Sequence, residues 1–477
     1  MNAGKCTALF AMASAAALFG CTVGPNYVRP PADAPVSYKE LGDWKPVEPS
    51  DQFAKGNWWE VYADPQLNGL EEQVDVSNQN LKAAQERFEQ ARAAIRISKS
   101  SYYPTITGGA SASRNHVSSN SPLFKVGASK ADYSDFTIPI DASWEPDLWG
   151  RVRRTVEASR SEAQATAADV ANVSLSLHAE VAMDYFQLRG LDAQEDLLNS
   201  TVVAYEKALA LTQNRYKAGL ASAVDVAQAE TQLQTTRAQA IDVGVNRAAF
   251  EHAIAVLIGT PPAQFSLPSL PLRATPPAIP PGVPSGLLER RPDIAASERR
   301  MQESNAQIGI AKSAYYPLVT LNGAGGFESG VFTTLIQGPS GLWSVGAAAS
   351  ETIFDAGKRR GITQQAQSAY RESIDTYRQT VLTAFQEVED NLAALRILSD
   401  EEVVQQSAVA SAEHSLALSI NRYKGGIVNY LEVITAQNAA LADEVTEVSI
   451  QTRRMQASVL LVKAIGGGWN VSQIPKV

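Results

Sequence analysis

One unit occurs twice in this chain, and that duplication constrains the fold more than any other feature of the sequence. Asn214-Arg215-Tyr216-Lys217-Ala218-Gly219-Leu220 returns 207 residues later as Asn421-Arg422-Tyr423-Lys424-Gly425-Gly426-Ile427. Gly150-Arg151 and Gly357-Lys358 share that spacing, as do Leu257-Ile258-Gly259 and Ala464-Ile465-Gly466. Upstream, Ser101-Tyr102-Tyr103-Pro104 matches Ala314-Tyr315-Tyr316-Pro317 at a spacing of 213, so one length change separates the copies. Chance similarity between Ala-rich helices does not hold register at a turn, a strand entry and a helix end together.

The repeat divides the chain. Residues 67–260 form the first copy and 293–468 the second, followed by a tail at 469–477. The connection at 261–292 is Pro-rich: nine of the chain's 24 prolines fall between Pro261 and Pro284. Proline lacks the backbone N–H and breaks helices, so this segment is expected to run extended along a surface. Residues 21–66 read as an extended arm.

Each copy has one layout. A helix leads in, over 67–100 and 293–313. Two strand-like segments follow, at 103–114 and 136–144 in the first copy and at 316–327 and 342–354 in the second. Each has roughly the ten residues of a tilted outer-membrane strand. Their apolar residues partly alternate, and Tyr102, Tyr103, Trp144, Trp149, Tyr315, Tyr316 and Trp343 cluster at their ends, as an interfacial girdle would. A pair of hairpins outside any membrane is the alternative reading. A very long helical region comes next. Residues 361–421 contain no Pro and no internal Gly after Gly361, and Ile374, Tyr377, Val381, Phe385, Val388, Leu392 and Leu395 mark a coiled-coil seam. The NRYK(A/G)G turn then leads into a returning helix, over 221–258 or 429–465, its glycines suited to a helix C-cap.

The N-terminus carries the compartment signal. Lys5 and a short apolar run precede Leu18-Phe19-Gly20-Cys21, which resembles the bacterial lipobox. Residues 1–20 are then a lipoprotein signal peptide, and Cys21 carries the lipid in the outer membrane. An ordinary secretory signal ending near a cysteine is the alternative. The remaining composition narrows the function. Formal charge is −9, against a basic nucleic-acid footprint. The two cysteines, Cys6 and Cys21, make neither a CxxC pair nor a disulfide scaffold, and the four histidines are scattered. We find no HExxH and no GxxxxGK[ST], and expect no catalytic residues, no metal, no cofactor and no nucleic-acid partner.

Two strands per copy give four per chain. Four strands cannot close a membrane barrel, and an open edge in lipid leaves N–H and C=O groups unpaired. Strands of this chain that enter the membrane must therefore share a barrel with other copies. Two copies give about eight strands and no aqueous channel; three give about twelve and a pore.

Further motifs carry a resemblance over nearly the whole chain. Cys21-Thr22-Val23-Gly24-Pro25-Asn26-Tyr27, Trp58-Trp59 with Asp64-Pro65-Gln66-Leu67-Asn68, Leu287-Leu288-Glu289-Arg290-Arg291-Pro292-Asp293-Ile294, both NRYK(A/G)G turns and the closing Ala464-Ile465-Gly466-Gly467-Gly468-Trp469 resemble the TolC-like outer-membrane efflux channels, NodT-type lipoprotein branch. The resemblance implies an α+β membrane protein: a homotrimer with a twelve-stranded outer-membrane β-barrel, four strands per protomer, continued by a periplasmic α-barrel with a mixed equatorial domain. It also implies a passive conduit for drugs or other small toxic compounds, working with a periplasmic adaptor (membrane fusion) protein and an inner-membrane RND transporter.

The resemblance further places the site residues. The adaptor would dock at the hairpin tips: Arg215, Tyr216, Lys217 and Gly219, with Arg422, Lys424 and Gly425. Tyr423 and Leu431 fall on positions of the family's periplasmic aperture. The aspartate and arginine of that aperture fall here on Thr435 and Asn438, which leaves a gate built on Leu431 and hydrogen bonding rather than a charged latch. Asp225 and Glu432 occupy matched positions and form a possible acidic entrance; favourable first-turn acids at a helix N-terminus are the alternative. Other classes stay open at this level: the outer component of type I protein secretion, and a non-conducting structural lipoprotein.

Overall fold

The computed structural model describes residues 22–31, 35–41, 57–118, 132–280, 282 and 284–477; the signal segment and Cys21 lie outside the described residues. The expected lead-in helix of the first copy is two helices, α1 (Pro65–Ser77) and α2 (Gln79–Ser100). Asn78 divides them: its side chain accepts from Leu81 N at 2.9 Å, capping α2, and donates to Leu257 O at 2.6 Å. An N-cap residue takes extended backbone, so the cap that starts α2 ends α1.

The strands follow, as β1 (Thr105–Gly108), β2 (Ser111–His116) and β3 (Asp132–Trp144). The sequence predicts one strand at 103–114; the structure divides it, and the cause is Pro139 in the partner strand. The register runs unbroken from Thr105 opposite Ser143 to His116 opposite Asp132. At its middle Gly109 N donates to Pro139 O at 3.0 Å, and proline has no N–H to return the bond. The second copy supplies β4 (Leu318–Ser329) and β5 (Gly341–Ser350), so β5 ends before the Ile353 and Phe354 expected in it. All strands form one antiparallel sheet, with β3 and β4 central, β5 at one edge and β1 and β2 sharing the other.

The helices of the two copies correspond closely. Helix α3 (Arg151–Lys217) and the later α6 (Lys358–Lys424) each have 67 residues; the returning α4 (Ala223–Leu257) and α7 (Tyr430–Ala464) each have 35. At 1.5 Å per residue the long helices reach about 100 Å. Three glycine pairs one repeat apart take the left-handed conformation that frees the chain to turn: Gly150 and Gly357, Gly219 and Gly426, Gly259 and Gly466. Helix α5 (Pro292–Ser313) leads into the second copy. The seam expected on α6 is buried at Tyr377, Val381, Phe385, Val388, Leu392 and Leu395, where α6 packs along α5 and α7.

The Pro-rich connection is extended from Phe265 onward, and one buried carboxylate fastens it. Asp192 is 1% exposed, pairs with Arg189 and Arg247 at 2.7 Å each, and accepts from Leu270 N at 2.9 Å. The two arginines donate to the carbonyls of Pro268 and Leu267, both at 2.8 Å. The start of the arm is fastened beside the sheet: Arg154 donates to Asn26 Oδ1 at 2.9 Å, and Val23 N donates to Trp149 O at 3.1 Å. No described helix is long and apolar enough to cross a membrane.

Candidate functional site

The sheet has two chemically distinct faces. Side chains alternate across a strand, and the registers place Ile106 beside Ala142, Ala112 beside Phe136, Ile140 beside Gly325 and Trp343, and Leu321 beside Ala347 on one face. The opposite face carries Thr107 beside Asp141, Ser111 beside Thr137, Ser143 beside Asn322 and Thr137 beside Glu328. The apolar face is uncovered: Trp343 is 82% exposed and Val345 is 81% exposed. A sheet that is apolar on one side and polar on the other suits lipid outside and water inside.

The far ends of the long helices form paired tips. Each turn is a Schellman cap: Leu220 N donates to Arg215 O at 2.8 Å and Gly219 N to Tyr216 O at 2.9 Å, and Ile427 N and Gly426 N do the same to Arg422 O and Tyr423 O, both at 3.0 Å. In the second turn the left-handed residue is Gly426, not Gly425, whose φ is −73°. Asp225 forms a capping box with Ser222 at the start of α4. Glu432 does not repeat it; it pairs with Arg422 at 2.6 Å.

The predicted tip residues separate by environment. Tyr423 is only 4% exposed, packed edge-on against Tyr430 with ring centroids 5.2 Å apart and backed by Ala229 and Val433. Its hydroxyl has no hydrogen-bond partner among the described residues. Its partner position Tyr216 is half exposed. Leu431 is large and apolar and 53% exposed in the protomer. Thr435 Oγ1 donates to Leu431 O at 2.9 Å, and Asn438 Oδ1 accepts from Gln232 Nε2 at 2.7 Å, joining α7 to α4. Lys217 and Lys424 are exposed at the turns.

Arg215 does more than its sequence position suggests. Its guanidinium donates to Lys424 O at 2.8 Å and lies 4.9 Å from the centre of the Tyr423 ring, so it ties the first hairpin tip to the second. The acceptor is a backbone carbonyl in the other copy, which no sequence motif marks. A second group escaped sequence reading. His178 is 4% exposed, stacks on Trp59 at 4.3 Å, and bonds Glu71 at 2.8 Å and Asp75 at 3.1 Å. Burial pushes the Glu71 carboxyl up to about 7, against the pull of His178. Burial pulls His178 down, yet the bond and charge of Glu71, with Asp75 behind, hold it above its ordinary value. The i,i+4 spacing of the two acids was legible; their meeting with His178 was not. No group of His, Cys, Asp and Glu among the described residues is placed to hold a metal.

Comparison with known proteins agrees with this geometry. The outer membrane efflux protein family matches residues 70–260 and 283–467. The toluene efflux pump outer membrane protein TtgF of Pseudomonas putida is 32% identical, over 98% of this chain and 98% of that protein. The cation efflux system protein CusC of Escherichia coli is 28% identical, over 95% and 97%. Among solved structures, the outer-membrane channel OprN superposes with a TM-score of 0.86 at 30% identity, covering 94% of this chain and 100% of that one.

Proposed function

This chain belongs to the outer membrane efflux protein family, and from that premise we infer that it is the outer-membrane channel of a tripartite efflux system, working as a trimer. The observation that carries the reading is the two-faced sheet with both edges unpaired. In lipid such edges must be joined, and three copies supply about twelve strands around an aqueous pore. The same symmetry sets the helices of the three copies in a ring, a tube of about 100 Å extending into the periplasm. The helix pairs of equal length and the three left-handed glycine pairs support the two-repeat organisation.

The tips of that tube form the regulated end. Leu431 from three copies closes it as an apolar ring, Thr435 and Asn438 hold α7 in place, and buried Tyr423 supports the turn from within. Arg215, Tyr216, Lys217, Arg422 and Lys424 are the surface offered to a periplasmic adaptor, around the glycine turns at Gly219 and Gly425. Asp225 and Glu432 give the entrance its acid; Arg422 partly neutralises Glu432, while Asp225 keeps its charge in the capping box with Ser222. An inner-membrane RND transporter supplies the energy. The relatives' names attach to toluene and to cations, and the two-faced wall suits a passive conduit for small toxic compounds. Cys21 anchors the arm by lipid; in Cys21→Ser, lipid labelling disappears while the protein still folds, and unchanged labelling overturns the anchor. Native mass measurement in detergent tests the assembly: a trimer is expected, and a stable folded monomer refutes it.

A further inference from the structure

The connection between β4 and β5 lies at the end of the sheet away from the long helices, since α3 and α6 follow the Trp144 and Ser350 ends of β3 and β5. Its composition is unusual for a loop that stands in water. Residues 329–350 contain no Asp, Glu, Lys, Arg or His, whereas the corresponding connection of the first copy carries Lys125 and Lys130. Val331 is 57% exposed, Phe332 70% and Ile336 74%, while Leu335 between them is buried. Apolar residues scattered singly over a surface are ordinary; three large ones gathered on one uncharged segment mark a contact.

One ring contact fixes where the loop sits. Phe332 packs edge-on against Phe136, with ring centroids 5.6 Å apart. Phe136 belongs to the apolar face of the sheet, sharing its side of β3 with Ile138, Ile140, Ala142 and Trp144. The loop therefore folds over the outer side of the wall and not across the mouth of the pore. Bonds within the loop hold it in shape. Thr334 N donates to Val331 O at 3.2 Å, Leu335 N to Phe332 O at 3.3 Å and Ser340 N to Gln337 O at 2.9 Å, and Ser340 Oγ donates to Thr334 O at 2.8 Å. Backbone groups bonded in this way lose less on leaving water than free ones do.

The strand gives the depth. Trp144 stands in the aromatic cluster at the helix end of β3, donating to Tyr102 O at 3.1 Å, and eight positions separate it from Phe136. At about 3.3 Å per residue and a tilt near 40°, those positions climb roughly 20 Å. The outward apolar band of a membrane barrel is about 25 Å tall, which leaves Phe136 roughly 5 Å inside its upper boundary. Charges begin where the band ends: the next pairs on the same face are Ser134 with Arg114 and Asp132 with His116. We propose that the β4–β5 loop rests on the outer leaflet, with Phe332 and Ile336 dipped among its acyl chains, at the shallow depth of an interfacial segment. The proposal rests on the membrane reading of the sheet and adds a lipid contact outside the strands.

Nitroxide labels read that depth. Phe332→Cys and Ile336→Cys are labelled separately; the second leaves the contact between Phe332 and Phe136 intact. Ile140→Cys serves as the outward reference and Asn322→Cys as the reference on the polar face, and the unsubstituted protein gives the background from Cys21. Trimers verified by native mass measurement are placed in vesicles of phosphatidylethanolamine and phosphatidylglycerol. Collisions with molecular oxygen, which concentrates in hydrocarbon, are compared with collisions with a water-soluble nickel chelate. At positions 332 and 336 oxygen collisions should exceed nickel collisions severalfold, as at 140, while 322 shows the reverse. Nickel collisions at 332 and 336 as frequent as at 322 place the loop in water and overturn the proposal. Immobilised labels that neither reagent reaches show that a neighbouring copy covers the loop, which overturns it equally. If the label at 140 itself reports water, the membrane reading of the sheet fails, and the loop contact with it.

Discussion

Replacing Leu431 by Ser should open the resting channel. The Leu431 side chain is 53% exposed in the protomer, and closure of three tips would cover that remaining surface. Fully burying a leucine contributes about 1.5–3 kcal/mol, so the uncovered half contributes roughly 0.8–1.5 kcal/mol per copy and about 2.4–4.5 kcal/mol for a ring of three. At 1.4 kcal/mol per tenfold, losing that shifts the closed-to-open ratio by about two to three orders of magnitude. The competing force is small. Arg422 and Glu432 pair at 2.6 Å with side chains 52% and 37% exposed, and exposed pairs contribute at most about 1 kcal/mol. That pair also lies within one protomer, so closing the ring does not create it. Single-channel recordings of Leu431→Ser beside wild type, at about 0.1 and 1 M salt, should show far more frequent full opening in the variant. Once scaled for bulk conductivity, wild type should gain little from salt. An unchanged variant, with wild type opening strongly as salt rises, refutes the apolar ring and shows that screened charges hold the tips.

Three further outcomes follow from single positions. Gly326→Ala places a Cβ 2.2 Å from Ile138 O and should cost about 1–3 kcal/mol or more, seen as a lower thermal midpoint; Gly323→Ala, with nothing within 4 Å, should match wild type. Tyr423→Phe removes a hydroxyl without a described partner, so stability and conductance should hold within error; a leaky Tyr423→Phe channel would show that the hydroxyl bonds across copies. Glu71 and His178 are both raised in the fold, so their protonated forms are favoured there. That stability is complete below their unfolded values and is lost as pH rises through about 7. The thermal midpoint should fall as pH rises from about 4.5 through about 7, by an amount on the order of 1 kcal/mol, and Glu71→Gln, which removes the carboxyl and the charge that raises His178, should flatten the dependence; a parallel decline in the variant refutes the assignment.

Much of the architecture was legible because repetition leaves punctuation behind. Gly219 and Gly426 end helices at the same point of each copy, and the Tyr-Tyr-Pro motifs start strands, so the element order could be read before any contact was known. Finer divisions depended on partners. Pro139 is visible in the sequence, but it breaks the strand opposite it, and only the pairing says which strand that is. Asn78 reads as an ordinary polar residue until its bond to Leu257 O makes it a corner. The tip residues show the same limit. Tyr423 and Leu431 sit eight positions apart on matched motifs, yet one is packed within the protomer and the other left uncovered. Arg189, Asp192 and Arg247 fasten the Pro-rich connection through backbone carbonyls that carry no sequence signature.

Conductance in planar bilayers tests the central claim most directly. Purified trimer, with no nucleotide and no ion gradient, should insert and give discrete current steps under applied voltage, brief and small in wild type and larger in Leu431→Ser. Correctly folded trimers that remain electrically silent in both forms at every voltage would contradict the reading of this chain as a passive outer-membrane conduit.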